Sequence, residues 1–273
     1  MRQGILLLLA LALTLPGEPN PPHPKLQTTL WVQTSALWPS LCRQAYQSAA
    51  EHLDAALEDK SWSALMEQAS MRGLRTMPPA LIVDVDETVL DNSPFQARLI
   101  KTGASFTAAA WAEWAHEANA LPLPGALPFL QKAAMRGVRV FYVTNRPHDL
   151  EDSTRKNLAR WGFPLATDED CILTLGETPE WGSDKTTRRR HVAANYRVIF
   201  LFGDDLGDFI PQPRRSVADR RRMVDAMQGF FGTRWFALPN PVYGSWERAI
   251  LGNRRVNAEE RTKLQLDALD ERR

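Results

Sequence analysis

The chain has 273 residues, of which 44% are hydrophobic and 24% are charged, a composition typical of a globular protein with a substantial core. Its 33 basic and 32 acidic residues give a formal net charge of +1. Binding to a nucleic-acid polymer or to an anionic membrane surface needs a concentrated excess of Lys and Arg, so neither partner is expected. The length favours one main domain with a modest elaboration.

An apolar run from Ile5 to Leu15 follows the positive charge of Arg2. Its length is typical of a secretory signal, because a membrane-spanning helix needs roughly 20 apolar residues. We therefore expect residues 1–17 to be a signal peptide, with an undefined cleavage point, and the proline-rich residues 18–25 to be a linker. This predicts an exported protein, periplasmic or secreted, without a stable membrane anchor.

Two cysteines, Cys42 and Cys171, match no metal-ligand spacing. In an exported protein they could form a disulfide. Cys42 lies in a helical pattern, however, and Cys171 opens a strand-like run, which equally favours two separate buried thiols. The sequence leaves both alternatives open.

Residues 30–58 carry apolar side chains at helical spacing and predict one or two amphipathic helices that pack on the core. From Ala80 onward, short apolar runs alternate with helical stretches, a pattern typical of βαβ units. The predicted strands are Ala80 to Val85, Val138 to Thr144, Cys171 to Leu175, Val198 to Gly203 and Trp235 to Leu238. The predicted helices among them are Ala126 to Met135, Leu150 to Trp161, Asp184 to Asn195 and Val217 to Met227. Right-handed crossovers would give a doubly wound, Rossmann-like α/β fold with a parallel sheet.

Residues 95–120 interrupt this alternation with several aromatic residues and alanines, which indicates a small, mainly helical insertion that caps a site. Residues 26–273 are assigned to one domain that contains this cap and ends in a charged helix from Val256 to Arg273. Two arginine clusters, Arg188 to Arg190 and Arg220 to Arg222, are interpreted as solvated helix faces, because arginine is seldom fully buried.

Three predicted strands end in polar clusters, at Asp84-Val85-Asp86-Glu87-Thr88, Thr144-Asn145-Arg146 and Gly203-Asp204-Asp205. Ligands of open α/β sheets bind beyond the carboxyl ends of the strands, so the three clusters are expected to meet in one crevice. Positions 84 and 86 of an extended strand face the same side. Crowded carboxylates are costly to bury unless a cation joins them. Mg²⁺ suits this site because it prefers oxygen ligands and leaves a position for phosphate, and Lys185 can supply a second positive charge.

The ordered series Asp84-x-Asp86-x-Thr88, Thr144, Lys185 and Gly203-Asp204-Asp205-x-x-Asp208 resembles the four motifs of the haloacid dehalogenase superfamily. Three longer segments look like the class C acid phosphatases, the bacterial lipoprotein type, and they are Asp84 to Pro94, Phe141 to Arg146 and Leu238 to Glu247. The similarity runs from about Leu30 to Trp246. It implies a broad Mg²⁺-dependent phosphomonoesterase that forms an aspartyl-phosphate and prefers nucleoside 5′-monophosphates.

The resemblance implies roles for the motif residues. Asp84 would be the nucleophile, and Asp86 the general acid and base, with its backbone carbonyl also on the metal. Thr144 and Lys185 would bind the transferring phosphoryl group. The implied metal ligands are Asp84, Asp86 and Asp204, with Asp205 and Asp208 supporting them from outside. The family commonly has Asn in place of Asp205 and Asp in place of Gly207, so these supporting roles are less secure than those of the ligands.

For the leaving group, the resemblance implies that Trp111 and Tyr243 sandwich the nucleotide base, and Asn145 is assigned to substrate binding. Lipoproteins of this type need a cysteine at the signal cleavage site. No cysteine precedes Cys42, so a lipid anchor is not expected. The expected partner is a small phosphomonoester, and a homodimer is left open.

Three other functions compete with this one. A dehalogenase needs no carboxylate two residues after the nucleophile, so Asp86 argues against it. A phosphomutase would keep the pair, although an exported location offers it little substrate. A non-catalytic binding or storage protein on the same fold would be expected to lack the nucleophile, and Asp84 is present.

Overall fold

The computed structural model describes residues 23–211 and 215–271. The predicted signal peptide at 1–17 lies outside the described residues, as do residues 18–22 of the predicted linker. Among the described residues, none of the helices is both long and apolar enough to cross a membrane.

Five parallel strands form the central sheet, and two short antiparallel strands form a separate ribbon. In chain order the strands are β1 (Pro79–Val83), β2 (Leu90–Asp91), β3 (Leu121–Pro122), β4 (Arg139–Pro147), β5 (Ile172–Leu175), β6 (Arg197–Gly203) and β7 (Trp235–Ala237). The sheet has the order β5-β4-β1-β6-β7, all pairs parallel, and β2 pairs with β3. The predicted parallel α/β fold is confirmed.

Helices cover the sheet and link its strands. They are α1 (Leu26–Thr34), α2 (Leu37–Glu58), α3 (Ser93–Thr102), α4 (Ala108–His116), α5 (Ala126–Met135), α6 (Glu151–Trp161), α7 (Thr186–Asn195), α8 (Val217–Ala226), α9 (Ser245–Ile250) and α10 (Ala258–Asp267). Every residue of β6 is buried, as expected for a parallel strand covered on both faces. The chain moves outward from β1 to β4 and β5, then returns to the other side of β1 for β6. This reversal makes the carboxyl ends of β1, β4 and β6 a binding crevice.

Strand β4 is longer than the sequence predicted. The prediction ended it at Thr144, whereas pairing with β5 continues to Pro147, which lies opposite Leu175. Asn145 and Arg146 therefore belong to the strand, and its alternation turns their side chains to opposite faces. Arg146 is buried and Asn145 is exposed.

The N-terminal helices pack on the core, and the predicted one or two helices are two. Tyr46 of α2 is buried against the sheet, with its ring stacked on Phe202 at 5.1 Å between centroids. Its hydroxyl donates to the backbone oxygen of Thr88 at 2.8 Å, which ties α2 to the turn after β1. Gly125, which precedes α5, also lies close to this ring. A β-carbon there would be 3.2 Å from Tyr46, and its φ of +94° favours glycine. Cys42, on the same helix, is a free buried thiol, as is Cys171.

The insertion after the first motif consists of α3 and α4, which lie between β2 and β3 along the chain. It begins at Ser93, slightly before the predicted limit of 95, because Pro94 occupies the first turn of α3 and the Asp91 carboxylate accepts the Ser93 backbone N–H at 2.8 Å. Phe95 and Trp111 pack edge to face, with 5.2 Å between their centroids. The insertion thus has an aromatic core of its own beside the crevice.

Candidate active site

A buried lysine joins two carboxylates at the centre of the crevice. Asp84 follows β1 directly, Lys185 precedes α7, and both are 7% exposed. The Lys185 ammonium donates to Asp84 Oδ1 and to Asp208 Oδ1, the latter at 2.6 Å. These charge-assisted hydrogen bonds offset part of the cost of burying the three charges.

The buried carboxyl groups of Asp84 and Asp204 have raised pKa values. Burial raises the pKa of Asp84 to about 7, and the opposing effect of Lys185 only partly compensates. Burial raises the pKa of Asp204 well above its usual range, and the nearby Asp84 and Asp208 add to this rise. Burial acts to lower the pKa of Lys185, but the carboxylates of Asp208 and Asp84 outweigh it and raise this pKa. A cation beside the carboxylates would favour their ionised forms.

The carboxylates of Asp84, Asp204 and Asp208 form the candidate metal centre. Each offers one oxygen, and these oxygens lie within 4.8 Å of one another. Asp204 follows β6 directly, and its Oδ2 accepts from Asn240 Nδ2 at 2.7 Å. An oxygen-only set with high negative charge fits a hard divalent cation.

The Asp86 carboxylate lies outside that group and is held by other residues. Arg146 donates to it through Nε at 3.0 Å and through Nη2 at 2.7 Å. Asn92 Nδ2 donates to Asp86 Oδ1 at 2.8 Å. Arg146 and Asn92 both lie in segments that the sequence motifs include, but their bonds to Asp86 depend on tertiary packing and are not predicted from the sequence. The assignment of Asp86 to the metal through its backbone carbonyl stays a prediction.

The two arginines after Lys185 are buried, so the prediction of a solvated face is wrong for Arg188 and Arg189. They are 0% and 2% exposed, whereas Arg190 is exposed as predicted. Burial lowers the pKa of Arg188 to about 10. Residues three and four positions after Lys185 share its helix face, a spacing that could have indicated burial.

Both buried arginines hold the loops of the crevice. Arg188 donates to the backbone oxygen of Thr144, to Asn145 Oδ1 at 2.6 Å and to the Gly182 oxygen at 2.8 Å. Arg189 donates to the backbone oxygens of Gly207 at 2.8 Å and Asp208 at 3.1 Å. Helix α7 therefore fixes the ends of β4 and β6 relative to Lys185.

Thr144 and Asn145 lie at the rim that β4 contributes. Thr144 is fully buried, and its Oγ1 accepts the Arg146 backbone N–H at 3.1 Å. Asn145 is exposed and donates through Nδ2 to the Ser183 oxygen at 3.1 Å. Their roles toward the phosphoryl group and the substrate stay predictions.

Asp205 and Asp208 support the crevice in different ways. The Asp205 carboxylate accepts from the Ser245 backbone N–H at 2.5 Å and the Gly207 N–H at 2.9 Å, which joins the end of β6 to the start of α9. Asp208 accepts the Asp205 N–H at 3.0 Å while also bonding Lys185. Asp208 thus contributes to the candidate metal centre itself, and Asp205 anchors the loop beside it.

Trp111 and Tyr243, the two aromatic residues assigned to the leaving group, are both connected to the first motif. Trp111 contacts Arg146, which bonds Asp86, and Tyr243 bonds Glu87 directly. The Arg146 guanidinium lies 5.4 Å from the Trp111 ring centroid, within cation–π range. The Tyr243 hydroxyl donates to Glu87, and Lys25 Nζ lies 5.3 Å from the Tyr243 centroid. The sequence predicts the two rings but not the contacts of Tyr243 with Glu87 and Lys25, because residues so distant along the chain share no local pattern.

A doubly wound α/β fold with carboxylates at the carboxyl ends of β1 and β6 and a lysine at the start of α7 is typical of a phosphohydrolase of the haloacid dehalogenase type. Residues 27–246 match the HAD superfamily, subfamily IIIB (acid phosphatase). The chain belongs to this family of phosphoric monoester hydrolases, as the resemblance implied. Phosphatases of this superfamily generally use a divalent metal, which the carboxylate cluster fits.

Two solved structures and a plant protein are similar to this chain. Two structures of the class C acid phosphatase from Bacillus anthracis are 35% identical to this chain and cover 90% of it and 97% of their own chain. Their TM-scores are 0.78 and 0.79, and the second has tungstate bound. The Stem 31 kDa glycoprotein of Glycine max is 27% identical over 165 residues, 59% of this chain. The chain spans 58% of the length of that relative.

Gly203 allows the closest approach in the site. A β-carbon at this position would lie 2.2 Å from Asp208 Oδ2 and 2.3 Å from Asp208 Cβ. Gly203→Ala is therefore expected to displace Asp208 and its bond to Lys185, and to destabilise the fold by about 1–3 kcal/mol through overpacking. The melting temperature and the phosphatase activity should both fall. Gly229→Ala is the matched control, because a β-carbon there meets no atom within 4 Å. Equal melting temperatures and activities in the two variants would contradict this account.

Proposed function

We propose that this protein hydrolyses phosphomonoesters through a phosphoaspartate on Asp84, with Mg²⁺ as its metal and nucleoside 5′-monophosphates as its preferred substrates. The observation that carries the proposal is the placement of Asp84 between the Lys185 ammonium and the carboxylates of Asp204 and Asp208. With the Lys185 ammonium and a bound metal cation beside it, the Asp84 carboxylate can approach a phosphate dianion, which would otherwise repel it.

In the first step an Asp84 oxygen attacks phosphorus, and the bond from phosphorus to the leaving oxygen breaks. Asp86 donates a proton to that oxygen, so the leaving group departs as an alcohol. In the second step Asp86 takes a proton from water, whose oxygen attacks the phosphoaspartate and releases phosphate. Arg146 and Asn92 hold the Asp86 carboxylate for both transfers. Asp84, which bonds Lys185 instead, is the carboxylate that acts as the nucleophile.

Lys185 and Thr144 are the groups proposed to bind the phosphoryl oxygens. Mg²⁺ would be held by Asp84, Asp204 and the Asp86 carbonyl, with the Asp208 carboxylate beside them and bonded to Lys185. When bound, it would supply positive charge to the nucleophile and the phosphoryl oxygens. Tungstate is a tetrahedral oxyanion like phosphate, and its presence in the related Bacillus anthracis structure supports an oxyanion site in this family. We further propose that the enzyme works outside the inner membrane, on the basis of the apolar run at Ile5 to Leu15.

The nucleophile is tested with Asp84→Asn. This variant lacks the negatively charged oxygen that attacks phosphorus. Its turnover is expected to fall to background, while its circular dichroism spectrum stays unchanged. Asp149→Asn, at an exposed position, is the control and should retain full activity. Undiminished turnover in Asp84→Asn would refute the mechanism.

Asp86→Asn separates the two steps. An aryl phosphate has a leaving group that needs little protonation, so this variant should still form the phosphoaspartate, whereas its hydrolysis should slow by about 10²- to 10⁴-fold. Mass spectrometry of acid-quenched protein is expected to find one added phosphoryl group on the peptide that contains Asp84. Detection of the phosphoryl group on another residue would assign the nucleophile elsewhere.

The metal is tested by chelation. Removal of divalent ions should stop turnover and Mg²⁺ should restore it. Asp204→Ala should raise the Mg²⁺ concentration needed for half-maximal activity by at least about 10- to 100-fold, the loss caused by removing a residue that only supports a ligand. The variant should also lose most of the Mg²⁺-dependent rise in melting temperature, a readout independent of catalysis. Asp225→Ala, on the exposed part of α8, is the control. Activity that survives exhaustive chelation would exclude the metal.

Nucleotide preference is tested at Trp111 and Tyr243. Stacking on a base contributes about 1 to 3 kcal/mol, so Trp111→Ala or Tyr243→Ala should lower kcat/KM for nucleoside monophosphates by about 5- to 150-fold. A small alkyl phosphate should be hydrolysed nearly as well as by the parent protein. Trp31→Ala, at a partly exposed ring on α1, is the control. Equal losses on both substrates would show that the rings support the fold instead of the base.

A further inference from the structure

Glu87 combines three features that are unusual for a glutamate. Its backbone φ is +56°, in the left-handed region that residues other than glycine seldom adopt. Its side chain is buried, at 9% exposure, and burial raises its pKa well above the usual range. It accepts the hydroxyl of Tyr243 and the backbone N–H of Asn92, the latter at 3.2 Å. Strained backbone of this kind is concentrated at functional sites.

One set of contacts holds the loop that carries Tyr243, and another holds its ring. Asn240 holds the loop, since its Oδ1 accepts the Val242 N–H at 3.0 Å and its Nδ2 donates to Asp204. The ring is placed by Glu87 at the hydroxyl and by the Lys25 ammonium at 5.3 Å from the centroid. A group that stacks on Tyr243 therefore has to use the ring face opposite Lys25.

Asn92 connects this ring to the proposed proton donor. Its side-chain Nδ2 donates to Asp86 at 2.8 Å, and its backbone N–H donates to Glu87. The Trp114 indole N–H in turn donates to Asn92 Oδ1 at 2.7 Å, which fixes the amide from the side of the insertion. The carboxylate that would protonate the leaving oxygen and the ring that would bind the leaving group thus share one support.

We propose that Glu87 is a positioning residue for the leaving group, acting through the hydroxyl of Tyr243. By fixing that hydroxyl, Glu87 sets the plane of the ring and holds an aromatic leaving group at a defined place relative to Asp86. This rests on the proposed phosphatase function and adds to it a residue that touches neither phosphate nor metal. Its effect should be confined to substrates with an aromatic leaving group and should fall mainly on KM.

The test is a double-mutant cycle of Glu87→Ala and Tyr243→Phe, measured with a nucleoside 5′-monophosphate and with a small alkyl phosphate. Each single variant should raise KM for the nucleotide by about 2- to 10-fold, the range expected for one hydrogen bond. The double variant should lose no more than Glu87→Ala alone, because that substitution already removes the acceptor of the Tyr243 hydroxyl. Both kinetic constants for the alkyl phosphate should stay near the parent values. Glu87→Gln keeps an acceptor oxygen and should recover most of the nucleotide affinity.

Tyr196→Phe is the matched control, because its hydroxyl donates to Glu169 at the amino-terminal edge of the sheet. It should leave the ratio of the two kcat/KM values unchanged. Additive losses in the double variant, or equal losses on both substrates, would overturn the positioning role while leaving the phosphatase intact. If Glu87→Ala does not fold, an unchanged KM for the nucleotide in Tyr243→Phe is sufficient to overturn it. A parent protein inactive on both substrates would instead refute the proposed function, and the positioning role with it.

Discussion

The ion pairs of Lys185 with Asp84 and Asp208 are the interaction on which the rest of the site depends. Three carboxylates meet where water is largely excluded, and one ammonium group cannot neutralise them. Burial raises the pKa of Asp84, and the carboxylates of Asp208 and Asp86 add to this rise. The remaining negative charge makes the crevice a natural place for a divalent cation. Once that cation and Lys185 are both present, a phosphate dianion can approach a carboxylate at close range.

The fold supplies this concentration of charge through strand order. Because β1 lies between β4 and β6, segments distant along the chain end at the same edge of the sheet. Helix α7 then fixes the edge, since Arg188 bonds the end of β4 and Arg189 the loop after β6. Backbone carbonyls accept hydrogen bonds from both guanidinium groups, which offsets part of the cost of burying them. Small errors in strand register would separate the carboxylates, and these two arginines oppose such errors.

Much of this arrangement could be predicted from the sequence, and the remainder could not, for a physical reason. Alternating strand and helix patterns specify a parallel sheet, and polar residues at strand ends specify its crevice, because both depend on local spacing. The burial of Arg188, the pairing of Asp86 with Arg146 and the contact of Glu87 with Tyr243 depend on partners brought together only by tertiary packing. An arginine run is exposed on average, and only the acceptors around it reverse that expectation.

The crevice has two halves with different origins. Strand ends and α7 build the half around phosphorus, where geometry is fixed by the sheet. Under the proposed function, the insertion, the segment before α1 and the loop after β7 provide the half that would contact the leaving group, through Trp111, Lys25 and Tyr243. Asn92 bridges the halves, because it bonds Asp86 on one side and Glu87 on the other. Substitutions in the second half can therefore alter which alcohol departs without moving the groups that bind phosphate, whereas a change at Asn92 would disturb proton transfer and leaving-group recognition together.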